Sequence, residues 1–233
     1  MLAALEQLEL SEQTKRLAAV ARSDLADALT DMGRYAEARE NYERALTIHR
    51  EQSDERAVAV ALGQIGTLAL HQGDLPEARR RYEEAMFIFR AMGNVQNEAV
   101  LWHQLGMVAQ EGGDWAESER NYRESLSLKE RLGDRVGVAQ TCNQLALIAA
   151  NAGRVVEGER WFRRTIEINE EIGNSAELWR GYVNLSSLLA NQGRLDEAEH
   201  YARRAMKIAE SLGLAGEVWK IYSVLARVTE TQG

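Results

Sequence analysis

The stretch Gly73-Asp74-Leu75-Pro76-Glu77-Ala78-Arg79-Arg80-Arg81-Tyr82-Glu83-Glu84-Ala85-Met86-Phe87-Ile88 decides how the chain is read. After a glycine and an acidic residue, it places apolar or small residues three and four apart, the spacing of one helical face. Pro76, the single proline of the chain, falls in the first turn, where a missing N–H costs little. Glu77 falls there too, beside the positive end of the helix macrodipole. The leading glycine suits the left-handed residue that closes a preceding helix. Asp74 with Glu77, and Asp114 with Glu117, have the spacing of a capping box.

Outward from this stretch the signature recurs. Glycines fall at 33, 73, 113, 153, 193 and 233, a period of 40 without an insertion. A second series, Gly93, Gly133, Gly173 and Gly213, runs halfway between with the same period. Glu37, Glu77, Glu117, Glu157 and Glu197 keep pace with the first series. A period in this range indicates a solenoid of repeated helix pairs. Each unit reads as helix A, a short turn, helix B and a second short turn, with helix A over 55–71 and helix B over 75–92 in the second unit. Ala26, Gly66, Gly106, Ala146, Ser186 and Ala226 form one column of small residues. Ala38, Ala78, Ser118, Gly158 and Ala198 form another, and Ala45, Ala85, Ser125, Thr165 and Ala205 a third. Small side chains repeat where two helix axes approach closely. Tyr42, Tyr82, Tyr122 and Phe162 supply a bulky plug, a ring that moves to Tyr201 in the fifth unit.

Trp102-His103-Gln104-Leu105-Gly106, Ala109, Gly113-Asp114-Trp115, Glu117 and Tyr122 together resemble the tetratricopeptide repeat, and the resemblance covers essentially the whole chain. The usual repeat has about 34 residues and a terminal proline; this one has 40 and none. It is similar to the longer-helix variant of kinesin light chains, peptide-pheromone receptors and the sensor regions of signalling ATPases. The fold that this implies is all-α, a right-handed superhelical solenoid of antiparallel helix pairs. Five full units are expected, about 16–52, 56–92, 96–132, 136–172 and 176–212. Residues 213–233 read as a sixth helix A or a cap, and residues 1–15 as the remnant of a preceding helix B. A turn glycine at Gly233 with nothing after it points to a module of a larger protein.

Composition narrows the function classes. With 36 acidic and 28 basic residues, the net charge of -8 opposes non-specific binding to nucleic acid. No apolar run approaches the roughly 18 residues of a membrane span, and the first 20 residues lack a signal-peptide layout. A cytoplasmic protein bound neither to membrane nor to nucleic acid is expected. A lone cysteine, Cys142, excludes an intramolecular disulfide and a multi-cysteine zinc site. It occupies the column of Leu62, Trp102 and Tyr182 and reads as a core residue. His49, His71, His103 and His200 lack metal-ligand spacing, and no phosphate loop or nucleophile elbow occurs. Neither enzyme, metal nor cofactor is expected.

What is left is a binding surface. The resemblance implies that the A helices line a concave groove, and it puts Asp24, Gln64, Gln104, Gln144, Asn184 and then Val224 in one column of it. A recurring amide suits the backbone of an extended peptide, whose donors and acceptors repeat whatever its sequence; the alternative is that these amides serve neighbouring helices or solvent. His103 and Asn143 stand beside the column, with Ser23. Thr67, Met107, Leu147 and Ser187, with Leu70, make the middle of the groove apolar. Asp24, Asp27 and Asp31 make one end acidic, while Arg180, Lys220 and Arg227 make the other basic, which would orient a peptide of opposite polarity. A carboxylate clamp of the kind that holds chaperone tails is disfavoured, because Ser23, Asp27, Gly63 and Gln64 include no base. The expected partner is a protein or peptide, bound by an interaction module. The alternatives are a sensor region of a signalling protein, such as a peptide receptor or ATPase, and a self-assembling scaffold that dimerises through open solenoid ends.

Overall fold

The computed structural model describes residues 2–214 and 218–232, with side chains from 11 to 226 except 215–217 and 220. These residues form eleven helices and no strand: α1 Leu2–Asp31, α2 Tyr35–Glu51, α3 Glu55–His71, α4 Leu75–Ala91, α5 Val95–Glu111, α6 Trp115–Leu132, α7 Arg135–Asn151, α8 Val155–Glu171, α9 Ser175–Asn191, α10 Leu195–Ser211 and α11 Trp219–Gln232. The chain is therefore an all-α helical-repeat array. From α2 to α10 every helix starts 20 residues after the one before it, so the period of 40 is two helices and two turns. Odd-numbered helices are the A helices and even-numbered ones the B helices. The α1 helix runs unbroken through residue 15, so Leu2–Leu10 is not a separate preceding helix.

One turn repeats throughout. After α3, Gly73 at φ +74 donates its N–H to Leu70 at 3.0 Å, and Asp74 donates to the Ala69 carbonyl at 2.9 Å. These two bonds satisfy the last carbonyls of the helix and turn the chain back within three residues. Ser53 takes the same left-handed conformation at φ 53, where the other described turns have glycine. A side chain there costs about 1 kcal/mol. The capping boxes anticipated at Asp74 and Asp114 are half made. Their carboxylates accept from the Glu77 and Glu117 N–H groups at 3.2 and 2.9 Å. The return bond does not form, because the Asp74 N–H is already given to Ala69 and the Glu77 carboxylate is drawn to Arg80 and Arg81. At α2, α8 and α10 an arginine replaces the acidic cap and pairs instead with the first-turn glutamate, as Arg34 does with Glu37 at 2.6 Å.

The chain forms two compact units, Met1–Asn121 and Tyr122–Gly233. In the first, Ala26, Ala38, Ala45, Ala78 and Ala85 are fully buried, and Tyr82 fills the space that Gly66 leaves. A Cβ on Gly66 would stand 2.8 Å from the Tyr82 ring, so the glycine and the aromatic plug are one packing device. In the second, Ala146, Gly158, Ala198 and Ala205 serve the same purpose. Ala226, on α11, is exposed. Arginine–glutamate pairs join successive B helices on the outer side: Arg81 to Glu43 at 2.7 Å in the first unit, Arg123 to Glu157 at 2.9 Å and Arg204 to Glu170 at 2.7 Å in the second.

Candidate functional site

An A helix of this fold is buried on most of its circumference and leaves one stripe open. In α3, residues 61, 62, 65, 66, 68 and 69 are buried, whereas Gly63, Gln64 and Thr67 are only partly so and Val60 is exposed. Residues 60, 64 and 67 share one helical face. The same stripe carries Gln104 and Met107 on α5, Gln144 and Leu147 on α7, and Asn184 on α9, all partly buried. The amide column therefore lies on the open faces of the A helices.

In the first unit two clefts open along this stripe. One, of about 280 Å³, lies between α1 and α3, walled by Val20 and Val60 over Ala57 and Ala61, with Ser23, His49, Asp54, Arg56 and Gln64 as its polar lining. The next, of about 180 Å³, lies between α3 and α5, walled by Val60 and Val100 over Leu101 and Phe89, with Gln64, Asn97 and Gln104. In the second unit a wider cleft of about 780 Å³ lies beside α9, lined by Asn143, Glu177, Arg180 and Asn184 with Trp179 and Val183. These clefts use corresponding repeat positions: residues 23, 63 and 143; 57, 97 and 177; 60, 100 and 180; 64, 104 and 184.

Two sets of residues here were not singled out from the sequence. Val20, Val60 and Val100 are 52%, 44% and 43% exposed, an apolar stripe beside the amides. Its signal was present, since the three valines keep the period of 40. The second set reaches the cleft floors from the B helices: His49 from α2 and Phe89 from α4. Lys129, Asn169 and Ala209 continue that column, and all three are buried. Its chemistry changes at each unit, so no repeated residue type marked it.

Several side chains in the amide column already have partners. Gln64 donates to Asp27 at 3.4 Å, and Asp27 also accepts a short bond from the Tyr42 hydroxyl. Asn184 donates to Asn143 at 3.0 Å. Thr67 and Tyr82 share a hydrogen bond of 3.0 Å, and burial pushes the Tyr82 phenol up to about 12. Among the described residues four buried side-chain atoms have no hydrogen-bond partner: Nδ1 of His49, Oε1 of Gln52, Oε1 of Gln144 and Oδ1 of Asn169. Burial holds the His49 imidazole below its ordinary range, against the pull of Asp54. Asp24, Asp27 and Asp31 are exposed on α1, four or three residues apart. Arg180 is exposed on α9 and pairs with Glu177 at 3.0 Å. His103 is partly buried on α5. Val224, in the amide column by sequence, is buried on α11. The side chains of Lys220 and Arg227 lie outside the described residues.

Cys142 is fully buried, and burial pushes its thiol up to about 11, so the nucleophilic thiolate is disfavoured. Among the described residues no group of three His, Cys, Asp or Glu side chains could hold a metal ion. None of their helices is long and apolar enough to cross a membrane.

The tetratricopeptide repeat model matches residues 17–91, 97–171 and 137–211. No curated protein matches the sequence. Among solved structures, BtubC (BKLC) from P. vanneervenii is similar over 90% of this chain and 92% of its own, with 21% identity and a TM-score of 0.77. A signal transduction ATPase with numerous domains and a tetratricopeptide repeat sensor, from Pyrococcus horikoshii, is similar over 94% of this chain, with 18% identity and a TM-score of 0.81. This chain covers 34% of that protein. Aspartyl phosphate phosphatase F from Bacillus subtilis is similar over 93% of this chain and 57% of its own, with 14% identity and a TM-score of 0.79.

Proposed function

The chain belongs to the tetratricopeptide repeat family, and from that membership we propose that it is a non-enzymatic interaction module whose A-helix face binds a peptide segment or a protein partner. The observation that carries this reading is the recurrence of clefts at corresponding repeat positions, each bordered by side-chain amides: Gln64, Gln104 and Asn184. An amide offers two donor hydrogens and an acceptor oxygen, and internal bonds at Gln64 and Asn184 use only part of that capacity. The test is a triple variant, Gln104→Ala, Gln144→Ala and Asn184→Ala. It is expected to lose binding to an affinity-captured partner, by calorimetry, while its far-ultraviolet circular dichroism stays that of the parent. Undiminished binding would assign the amides to structure alone. The similar Pyrococcus horikoshii protein has its tetratricopeptide repeat as a sensor, and a sensor within a longer signalling chain is the regulatory form of the same reading.

Assembly is the second reading. Leu17 and Leu25 are exposed on α1, at positions whose equivalents on α3, Ala57 and Ile65, are partly or wholly buried. Trp219 and Tyr222 are exposed on α11, although Tyr182, the equivalent of Tyr222, is buried. Light scattering across a dilution series tests self-association, and a constant monomer mass at every concentration would remove it.

A further inference from the structure

We infer that the two clefts of the first unit take an extended peptide in the polyproline II conformation, with aliphatic side chains at i and i+3 and a basic residue on the α1 side. The inference rests on the A-helix reading above and names the ligand class for one part of that face.

The spacing selects the conformation. The clefts adjoin, sharing Val60 and Gln64, and are separated by the width of one helix, α3. Packed helix axes lie about 8–10 Å apart, and α3 and α5 approach within 8 Å between Cα atoms. Two ligand side chains that fill neighbouring clefts must therefore leave the same side of the peptide about 9 Å apart. In a β-strand, i and i+2 share a side but stand only about 7 Å apart, and i+3 points the other way. In polyproline II, three residues make one turn of about 9 Å, so i and i+3 align. A helical ligand could match the distance but would keep its backbone groups in its own hydrogen bonds. Polyproline II leaves them free, facing Gln64 and Gln104 on the cleft walls.

The lining selects the side chains. Val20 and Val60 wall the first cleft, Val60 and Val100 the second, and both floors are largely apolar. All three valines are about half exposed, so a ligand aliphatic group would remove apolar surface from water on both sides of the contact. Charge selects the flank. Asp24 and Asp27 lie four residues beyond Val20 and Ser23 on α1, and Asp31 lies four beyond Asp27, so an acidic strip continues the outer wall of the first cleft. Asp54 adds a further carboxylate at this cleft, against the single base Arg56. A lysine or arginine two residues before the first aliphatic residue meets that strip.

The probe is the fluorescein-labelled peptide Lys-Lys-Ser-Leu-Ala-Pro-Leu-Ser-Ser, compared by fluorescence polarisation with the permuted Lys-Lys-Ser-Leu-Ala-Leu-Pro-Ser-Ser on the full chain. The first is expected to bind at least tenfold more tightly. Val60→Glu, at an exposed position common to both clefts, should weaken it at least tenfold with an unchanged thermal unfolding midpoint. Val156→Glu, exposed on α8, should leave it unchanged, and Glu-Glu in place of Lys-Lys should weaken it. Equal affinity for the two peptides, no binding of either, or full binding by Val60→Glu would each overturn the inference. The triple amide variant reads A-face binding of a captured partner separately, so its loss of binding alongside any of these results would leave the interaction module standing without this ligand class.

Discussion

The two units of this chain use the same backbone to present different chemistry. Helix lengths, three-residue turns, left-handed glycines and small-residue columns are common to both. At corresponding positions beside the clefts, the first unit has Val60 and Val100 where the second has Arg180. It has Ala57 and Asn97 where the second has Glu177. The cores differ in the same sense. Buried polar and charged side chains are concentrated in the second unit: Ser125, Lys129, Thr141, Thr165, Asn169 and Ser186. The difference separates two kinds of position. Some are held by the geometry of close helix packing and cannot vary much. Others face a cleft and are free to set what it recognises.

The B-helix column that runs through both units gives the sharpest test. Phe89 in the first and Lys129 in the second occupy the same repeat position and are 3% and 4% exposed. The Lys129 ammonium donates to the Thr141 hydroxyl at 3.1 Å, and burial pulls it below the ordinary lysine range against the influence of Asp134. Phe89→Lys should be the more damaging exchange, costing about 4 kcal/mol, because it removes a buried ring and puts an ammonium among apolar side chains. Lys129→Met should do the opposite and stabilise by about 1 kcal/mol. It orphans nothing, because the Thr141 hydroxyl also donates to the Gly137 carbonyl at 2.8 Å. A lysine held below its ordinary 10.5 binds its proton less readily folded than unfolded, so the parent gains stability as pH rises toward that value. The advantage of Lys129→Met should shrink over the same range. Urea unfolding at pH 7 and pH 10 measures both variants. Destabilisation by both exchanges, or an effect of Lys129→Met that is the same at both pH values, would mean that the two positions are not equivalent.

How far the sequence carries the reader follows from the same separation. Packing columns are legible because close approach admits few residue types: Ala, Gly, Ser and Thr recur at Ala38, Gly158, Ser118 and Thr165. The turns are legible because a left-handed residue favours glycine, and the helices assigned to 55–71 and 75–92 are found at 55–71 and 75–91. Where a third residue can serve, as Ser53 does, the ladder has a gap. The amide column was visible, but its internal bonds, Gln64 to Asp27 and Asn184 to Asn143, depend on helix-to-helix distances that a repeat pattern does not contain. The floor column of His49, Phe89, Lys129, Asn169 and Ala209 was hidden by its own variety. Hydropathy would assign Phe89 to the core and Lys129 to solvent, yet the fold buries both.

The smallest expected effect belongs to His49, and it asks whether the first unit is as apolar at its cleft floor as it is at its walls. Nδ1 of His49 is buried without a hydrogen-bond partner, and burial outweighs Asp54 to hold the imidazole below 6.5. The folded chain then binds this proton less readily than the unfolded chain. Stability from this source is present in full above pH 6.5 and is lost as pH falls below it through the lower folded value. His49→Phe places there the residue that the next repeat carries at Phe89, next to Ala57 and Ala61, which are smaller than their equivalents Asn97 and Leu101 and leave the ring room. The urea midpoint of the parent minus that of His49→Phe should therefore become more negative from pH 7.5 to pH 5.5, while carboxylate titrations common to both proteins cancel. A difference that is flat with pH would mean that solvent or a carboxylate reaches the imidazole, and that the first cleft has a polar floor beneath its valine walls.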